Sequence, residues 1–200
     1  MITINFWKIF RFYVIIITLS IKKYKMKNKI ISLVKSQSWI SCKTNELTWT
    51  IGLTIAIIIA PALLAHASAN QILTGTIVNS LLFLAAYRLP LANAMMIAIL
   101  PSTVALLRGL LPAPMVMLIP YIIISNIILL ASFSTFKKTP IIGVLTASFL
   151  KFGFLYSIVY IVAGQLNANL IAMFQWPQLI TALIGGFIFL NLLKIFKTKN

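Results

Sequence analysis

The sequence almost lacks acidic residues: Glu46 is the only aspartate or glutamate among 200 residues, against 17 lysines and arginines. Intramembrane aspartyl hydrolases need paired carboxylates, and proton-coupled carriers usually have carboxylates at membrane depth. Glu46 lies outside the long apolar runs of the chain. The scarcity of acidic residues therefore argues against both classes.

Cysteine and histidine are equally scarce, with one residue of each, Cys42 and His66. A disulfide within the chain, a Cys/His metal site and an iron–sulfur cluster are therefore excluded. His66 is the only histidine base for a nucleophile and lies in a polar connection, and no Gly-rich phosphate loop is present. We expect a protein that is not an enzyme and that has no metal or cofactor of its own.

Hydrophobic residues dominate instead, at 61% of the chain, and the mean hydropathy is +1.04. This composition is too apolar for a soluble domain and predicts an all-α, polytopic membrane domain. The formal charge of +16 would suggest nucleic-acid binding in a soluble protein. Because no basic and aromatic face exists outside the apolar runs, the positive-inside rule explains the charge better.

The first 45 residues form a basic segment, which we separate from a membrane domain at 46–200. Nine of the 17 basic residues lie in this segment. Its apolar stretch, 12–20, has only nine residues, too few to span a hydrocarbon core of about 30 Å. Two interpretations of residues 1–25 stay open: an interfacial helix in the membrane plane, or a mis-assigned start with Met26 as the true first residue.

Six apolar runs make up the membrane domain. They are Trp49–Ala65, Thr74–Tyr87, Leu91–Leu107, Ala113–Phe136, Ile141–Gly164 and Pro177–Phe196. Six spans place both termini on one side of the membrane. That side carries 15 basic residues, and the connections on the opposite side contain none. The positive-inside rule therefore predicts that both termini are cytoplasmic.

Lys151 breaks this charge pattern because it lies inside the fifth run. It follows Lys138 by 13 residues, or about 20 Å of helix, which places it at membrane depth in the outer half of the bilayer. An ionisable residue there marks a functional site by default. No carboxylate of the spans can neutralise it. We expect Lys151 to snorkel outward, to lose its proton, or to meet an acceptor from outside the chain.

Four further polar residues are candidates for the same site. Asn79 and Asn126 lie about 14 and 17 Å from the inner ends of their spans, and Arg108 and Gln178 lie at outer span ends. With Lys151 they predict a substrate pocket that opens to the outside. Other roles stay open, since the asparagines can bond helices together and Arg108 can bind lipid phosphate.

Two other features of the sequence bear on binding. Ser148 shares a helix face with Lys151, and aromatic residues surround the lysine as stacking partners for a flat heterocycle: Phe149, Phe152, Phe154, Tyr156 and Tyr160.

Ala56 and Ala60 form an Ala-xxx-Ala pair in the first span. Such small residues let helices approach closely, so we expect them to dock a partner helix.

Three segments carry a resemblance to a known family. They are ALLRGLLP at 105–112, TGTIVN at 74–79 and LKF at 150–152. With six short spans, a polar first outer connection and the pair Ala56 and Ala60, the chain resembles the S components of energy-coupling factor (ECF) vitamin importers. The resemblance covers about residues 48–196.

The resemblance implies a multi-pass protein of the bacterial cytoplasmic membrane that captures a vitamin or its precursor at the outer face. Such a subunit delivers its substrate by toppling against a T component, which two cytoplasmic ATPases drive. Ala56 and Ala60 match the docking pair of the family. The cationic residues of the predicted pocket suggest an anionic or acceptor-rich substrate. The alternative is a channel or scaffold subunit of a membrane complex that transports nothing itself.

Overall fold

The computed structural model describes residues 40–64, 70–107, 113–162, 171–172 and 174–198. The chain divides into two units between Asn45 and Glu46. All regular structure in the described residues is helical, as the sequence predicts. The helices are α1 (Ile40–Leu63), α2 (Asn70–Arg88), α3 (Leu91–Leu107), a short 3₁₀ helix (Ala113–Leu118), α4 (Ile119–Thr135), α5 (Pro140–Val162) and α6 (Trp176–Thr198).

Three apolar stretches of the described chain are long enough to cross a membrane: Val116–Thr135, Pro140–Ile161 and Trp176–Ile195. The apolar parts of α1, α2 and α3 are shorter. For example, α3 has 17 residues, or about 26 Å of helix, somewhat less than a typical hydrocarbon core. The structure therefore supports a membrane protein. Six full spans and cytoplasmic termini remain predictions.

Four helices pack in a ring around the centre of the second unit. In this ring α2 contacts α6, α6 contacts α5, α5 contacts α4, and α4 contacts α2; α3 packs outside it against α2 and α4. The short turn 136–139 makes α4 and α5 antiparallel neighbours. Side chains from all four ring helices therefore meet at its centre.

One end of the bundle carries the basic residues. The Arg88 guanidinium lies 4.8 Å from the centre of the Trp49 ring, and Lys137 Nζ lies 5.4 Å from that of Tyr87. These contacts bring the last turn of α2 beside α1 and beside the α4–α5 turn. Among the described residues, the opposite ends of the helices contain no lysine or arginine. Apart from Lys151, the basic residues of the bundle that the structure describes therefore lie at one end of it.

Two apolar clusters fill the interior. The larger lies toward the basic end and includes Phe83, Phe133 and Phe189, whose ring centres lie 5.3 to 5.9 Å apart. The smaller lies toward the opposite end and is built on four buried residues: Leu118, Leu155, Val159 and Phe174. Nine buried polar residues of the described chain also lie in the interior, and we call them the central polar layer: Thr76, Asn79, Ser80, Ser102, Ser125, Asn126, Ser148, Lys151 and Thr181.

Candidate functional site

Lys151 lies at the middle of α5, eleven residues from each end, and only 4% of it is exposed. Its ammonium group donates to Asn79 Oδ1 at 2.7 Å and to Asn126 Oδ1 at 2.8 Å. The expectation that Lys151 snorkels outward is therefore wrong. Proton loss and an acceptor from outside the chain, the other two alternatives, remain predictions. Two asparagines from facing helices lie at the same depth as the lysine and accept two of its hydrogen bonds.

Each asparagine also bonds through its NH₂ group to another helix. Asn79, at the midpoint of α2, donates to Thr181 Oγ1 on α6 at 3.3 Å, and Asn126 donates to the Ala98 carbonyl of α3 at 3.3 Å. An amide offers two acceptor lone pairs on its oxygen and two N–H donors. Both asparagines therefore use both ends of the amide, and the network links five helices through side chains or backbone.

The helices α2 and α6 approach each other closely, and this approach positions the Asn79 side chain relative to α6. A Cβ atom on Gly185 would lie 2.6 Å from the Thr76 carbonyl oxygen and 2.9 Å from the Ser80 nitrogen, so only glycine fits. On the facing helix, a Cβ on Gly75 would lie 3.1 Å from Thr181 Cγ2. Small residues permit such close contact between membrane helices. The glycines thus bring the Asn79 amide within reach of Thr181.

The charge on Lys151 meets no carboxylate in this network. Glu46, the only acidic residue of the sequence, lies three residues before Trp49, which contacts Arg88 at the end of α2. Arg88 is nine residues past Asn79, or about 14 Å along the helix. The protonated form of Lys151 is therefore solvated by neutral amide oxygens, and no carboxylate of the described residues cancels its charge.

Two polar groups of the layer are not satisfied within the described part of the chain. A protonated lysine has three N–H donors, and Lys151 uses two of them. One turn earlier on the same helix face, the Ser148 hydroxyl is fully buried and has no hydrogen-bond partner there. The two groups therefore leave hydrogen-bonding capacity side by side in the interior.

The other predicted site residues are less closely tied to the lysine. Gln178 is half-buried at the start of α6, and its backbone carbonyl accepts a hydrogen bond from Thr181 at 3.1 Å, which links it to the network through α6. Arg108 lies outside the described residues. Ala56 and Ala60 are half-buried on α1, beside the exposed side chains of Ile55 and Ile59. Their docking role remains a prediction.

Thr181 and the Ala98 carbonyl are members of the network that sequence reasoning missed. Thr181 follows Gln178 by three residues and therefore lies on the same helix face, a signal that could have identified it. A backbone carbonyl carries no signal in the sequence. Pro101, three residues after Ala98 inside α3, is not a reliable signal for this acceptor. Prolines also occur in helices whose carbonyls accept no hydrogen bond from a side chain.

The aromatic residues near Lys151 do not form the predicted stacking site as a group. Phe149, Tyr156 and Tyr160 are 55%, 47% and 80% exposed, so they face away from the bundle interior. Phe152 is half-buried and stacks on Trp176, with ring centres 5.5 Å apart. Because successive helical residues point in different directions, nearness in sequence does not bring these rings to the lysine.

Comparison with known proteins gives no match: no protein-family model, curated protein or solved structure matches this chain.

Proposed function

We propose that this chain is the membrane-embedded substrate-capture subunit of an ECF-type importer for a vitamin or vitamin precursor. The observation that carries the proposal is Lys151, an ionisable residue buried at the middle of a membrane-length helix, whose hydrogen-bond partners among the described residues are two neutral amides. Ionisable residues inside membrane helices are costly and mark binding or transport sites. A site that keeps one uncancelled positive charge and an unused donor suits a substrate that brings acceptor atoms.

Under this proposal Lys151, Asn79 and Asn126 lie at the base of the binding site. Gln178 and Arg108 contribute nearer the outer surface, and the basic end of the bundle faces the cytoplasm. Ala56 and Ala60 provide the contact for the T component. Energy comes from the two ATPases, because the chain has no phosphate-binding loop of its own.

The proposal is tested by purifying the tagged chain from bacterial membranes and identifying what accompanies it. We expect a T component and two ATPases among the co-purifying proteins, a small molecule in the denatured extract, and uptake of that molecule only when all four proteins are expressed together. A chain that binds no small molecule and assembles with other membrane proteins would instead indicate the channel or scaffold subunit.

A further inference from the structure

Ser148 differs from four hydroxyl residues of α1, α4 and α5 that bond to their own helix. A helical serine or threonine commonly satisfies its hydroxyl with the carbonyl three or four residues earlier. Thr50, Ser125, Thr146 and Ser157 all do so, with the carbonyls of Glu46, Ile122, Ile142 and Gly153. Ser148 is fully buried and makes no such bond within the described chain. A buried polar group without a partner calls for an explanation, and an absent ligand is one.

The position of Ser148 points to what that ligand offers. Side chains three residues apart on a helix are neighbours, with Cβ atoms about 5–6 Å apart. Ser148 and Lys151 therefore lie on the same face of α5, and the protonated lysine has a third N–H to donate. An acceptor group lying between them can receive a hydrogen bond from each.

The charge balance of the central polar layer restricts the acceptor further. Every other buried polar residue in the part of the chain that the structure describes is neutral: Thr76, Asn79 and Ser80 on α2, Ser102 on α3, Ser125 and Asn126 on α4, and Thr181 on α6. One cation is complemented by one negative charge. A phosphate ester with two charges would leave one of them uncompensated at mid-membrane depth, which is unfavourable. The apolar clusters on either side of the layer favour a ligand whose remaining atoms are uncharged.

We infer that Lys151 and Ser148 together bind the carboxylate of a small, otherwise uncharged molecule. The inference names the substrate class of the proposed importer and rests on that function. In the bound state the carboxylate accepts from the third Lys151 N–H and from the Ser148 hydroxyl. Asn79 and Asn126 keep the ammonium in place from the other side.

The test uses four variants of the full-length chain in two matched pairs. Lys151→Met and Ser148→Ala remove the proposed contacts. Lys138→Met removes an exposed lysine from the α4–α5 turn, and Ser157→Ala removes an exposed serine of α5 that bonds to its own helix. Each protein is purified from cells grown in rich medium, and the small molecules released on denaturation are quantified by mass spectrometry. The compound enriched with wild type is then titrated into ligand-stripped protein beside its methyl ester.

We expect a compound with a single carboxylate. Its affinity should fall about 10- to 150-fold in Lys151→Met and about 3- to 10-fold in Ser148→Ala, and it should stay within about twofold in both controls. The methyl ester, which keeps the shape but has no charge, should bind about as weakly to wild type as the acid binds to Lys151→Met. Circular dichroism and size-exclusion chromatography of each variant establish that it is folded.

Three results would overturn the inference: an enriched compound without a carboxylate, an ester that binds as tightly as the acid, or no compound enriched over Lys151→Met. The proposed function can fail separately. A neutral compound taken up only with the T component and ATPases rejects the carboxylate and keeps the importer. A carboxylate that binds through Lys151 and Ser148 in a chain with no such partners keeps the site and rejects the importer.

Discussion

Replacing Gly185 by alanine should force α2 and α6 apart at the depth of Asn79. The added methyl group would lie 2.6 Å from the Thr76 carbonyl oxygen, and ordinary contact begins near 3.4 Å, so the helices must separate by about 0.8 Å. The contacting atoms are backbone, which cannot rotate away. Overpacking of this kind costs about 1–3 kcal/mol, and the higher helix propensity of alanine returns up to about 1 kcal/mol. We expect the free energy of unfolding to fall by a net amount of about 1–2 kcal/mol.

The same separation of α2 and α6 should also disturb the proposed binding site. The bond from Asn79 to Thr181 is already 3.3 Å long, so a shift of about 0.8 Å would break it and leave the Asn79 amide less firmly oriented toward Lys151. Substrate affinity should therefore fall together with stability. A variant that lost stability alone would separate the helix contact from the site.

Unfolding in mixed micelles of increasing sodium dodecyl sulfate, followed by circular dichroism, measures the stability change. Gly153→Ala and Gly52→Ala are matched controls, because a Cβ at either position meets no atom within 4 Å. Both controls should be as stable as wild type or up to about 1 kcal/mol more stable. If Gly185→Ala behaves like them, α2 and α6 do not approach as closely as the structure indicates, and the reasoning fails.

Three further predictions concern charge, docking and topology. Asn126→Leu takes an acceptor from a buried cation and should cost about 1.5–3 kcal/mol in the unfolding assay, whereas Lys151→Met also removes the charge and should cost less; the reverse order would contradict this account of the network. Ala56→Trp should keep substrate binding and abolish uptake, and equal loss of both would place the alanine inside the bundle. Reporter fusions after Lys138 should report the cytoplasm and fusions within 165–169 the outside, and the opposite result would reject the six-span topology.

The helices of the membrane domain were largely predictable because prolines and charges mark their ends. The run predicted at Leu91–Leu107 has the same bounds as α3, and α5 begins at Pro140, one residue before the predicted run. Hydropathy failed where a helix continues into polar sequence. α1 begins at Ile40 rather than Trp49, since hydropathy marks the apolar part of a helix and not the helix itself.

The depth of the site residues was also readable, but their contacts were not. Counting residues from the charged span ends placed Asn79, Asn126 and Lys151 at similar depths, and the structure joins them although 72 and 25 positions separate the asparagines from the lysine. The sequence does not indicate which side of each helix faces the interior of the bundle. In a soluble protein the polar face identifies the outside, whereas a membrane helix is apolar toward lipid and toward its neighbours alike.

The choice of amides around Lys151 explains how the proposed binding site and a nearly acid-free sequence fit together. A carboxylate at position 79 or 126 would hold the lysine more strongly, but it would also cancel its charge and compete with any anionic ligand. An amide oxygen satisfies the same N–H group through its dipole alone, as water would. The asparagines therefore meet the donors of the buried cation while its field stays open to a negative ligand. A lysine needed only to join helices would gain more from a carboxylate, so amide partners favour a cation kept for binding.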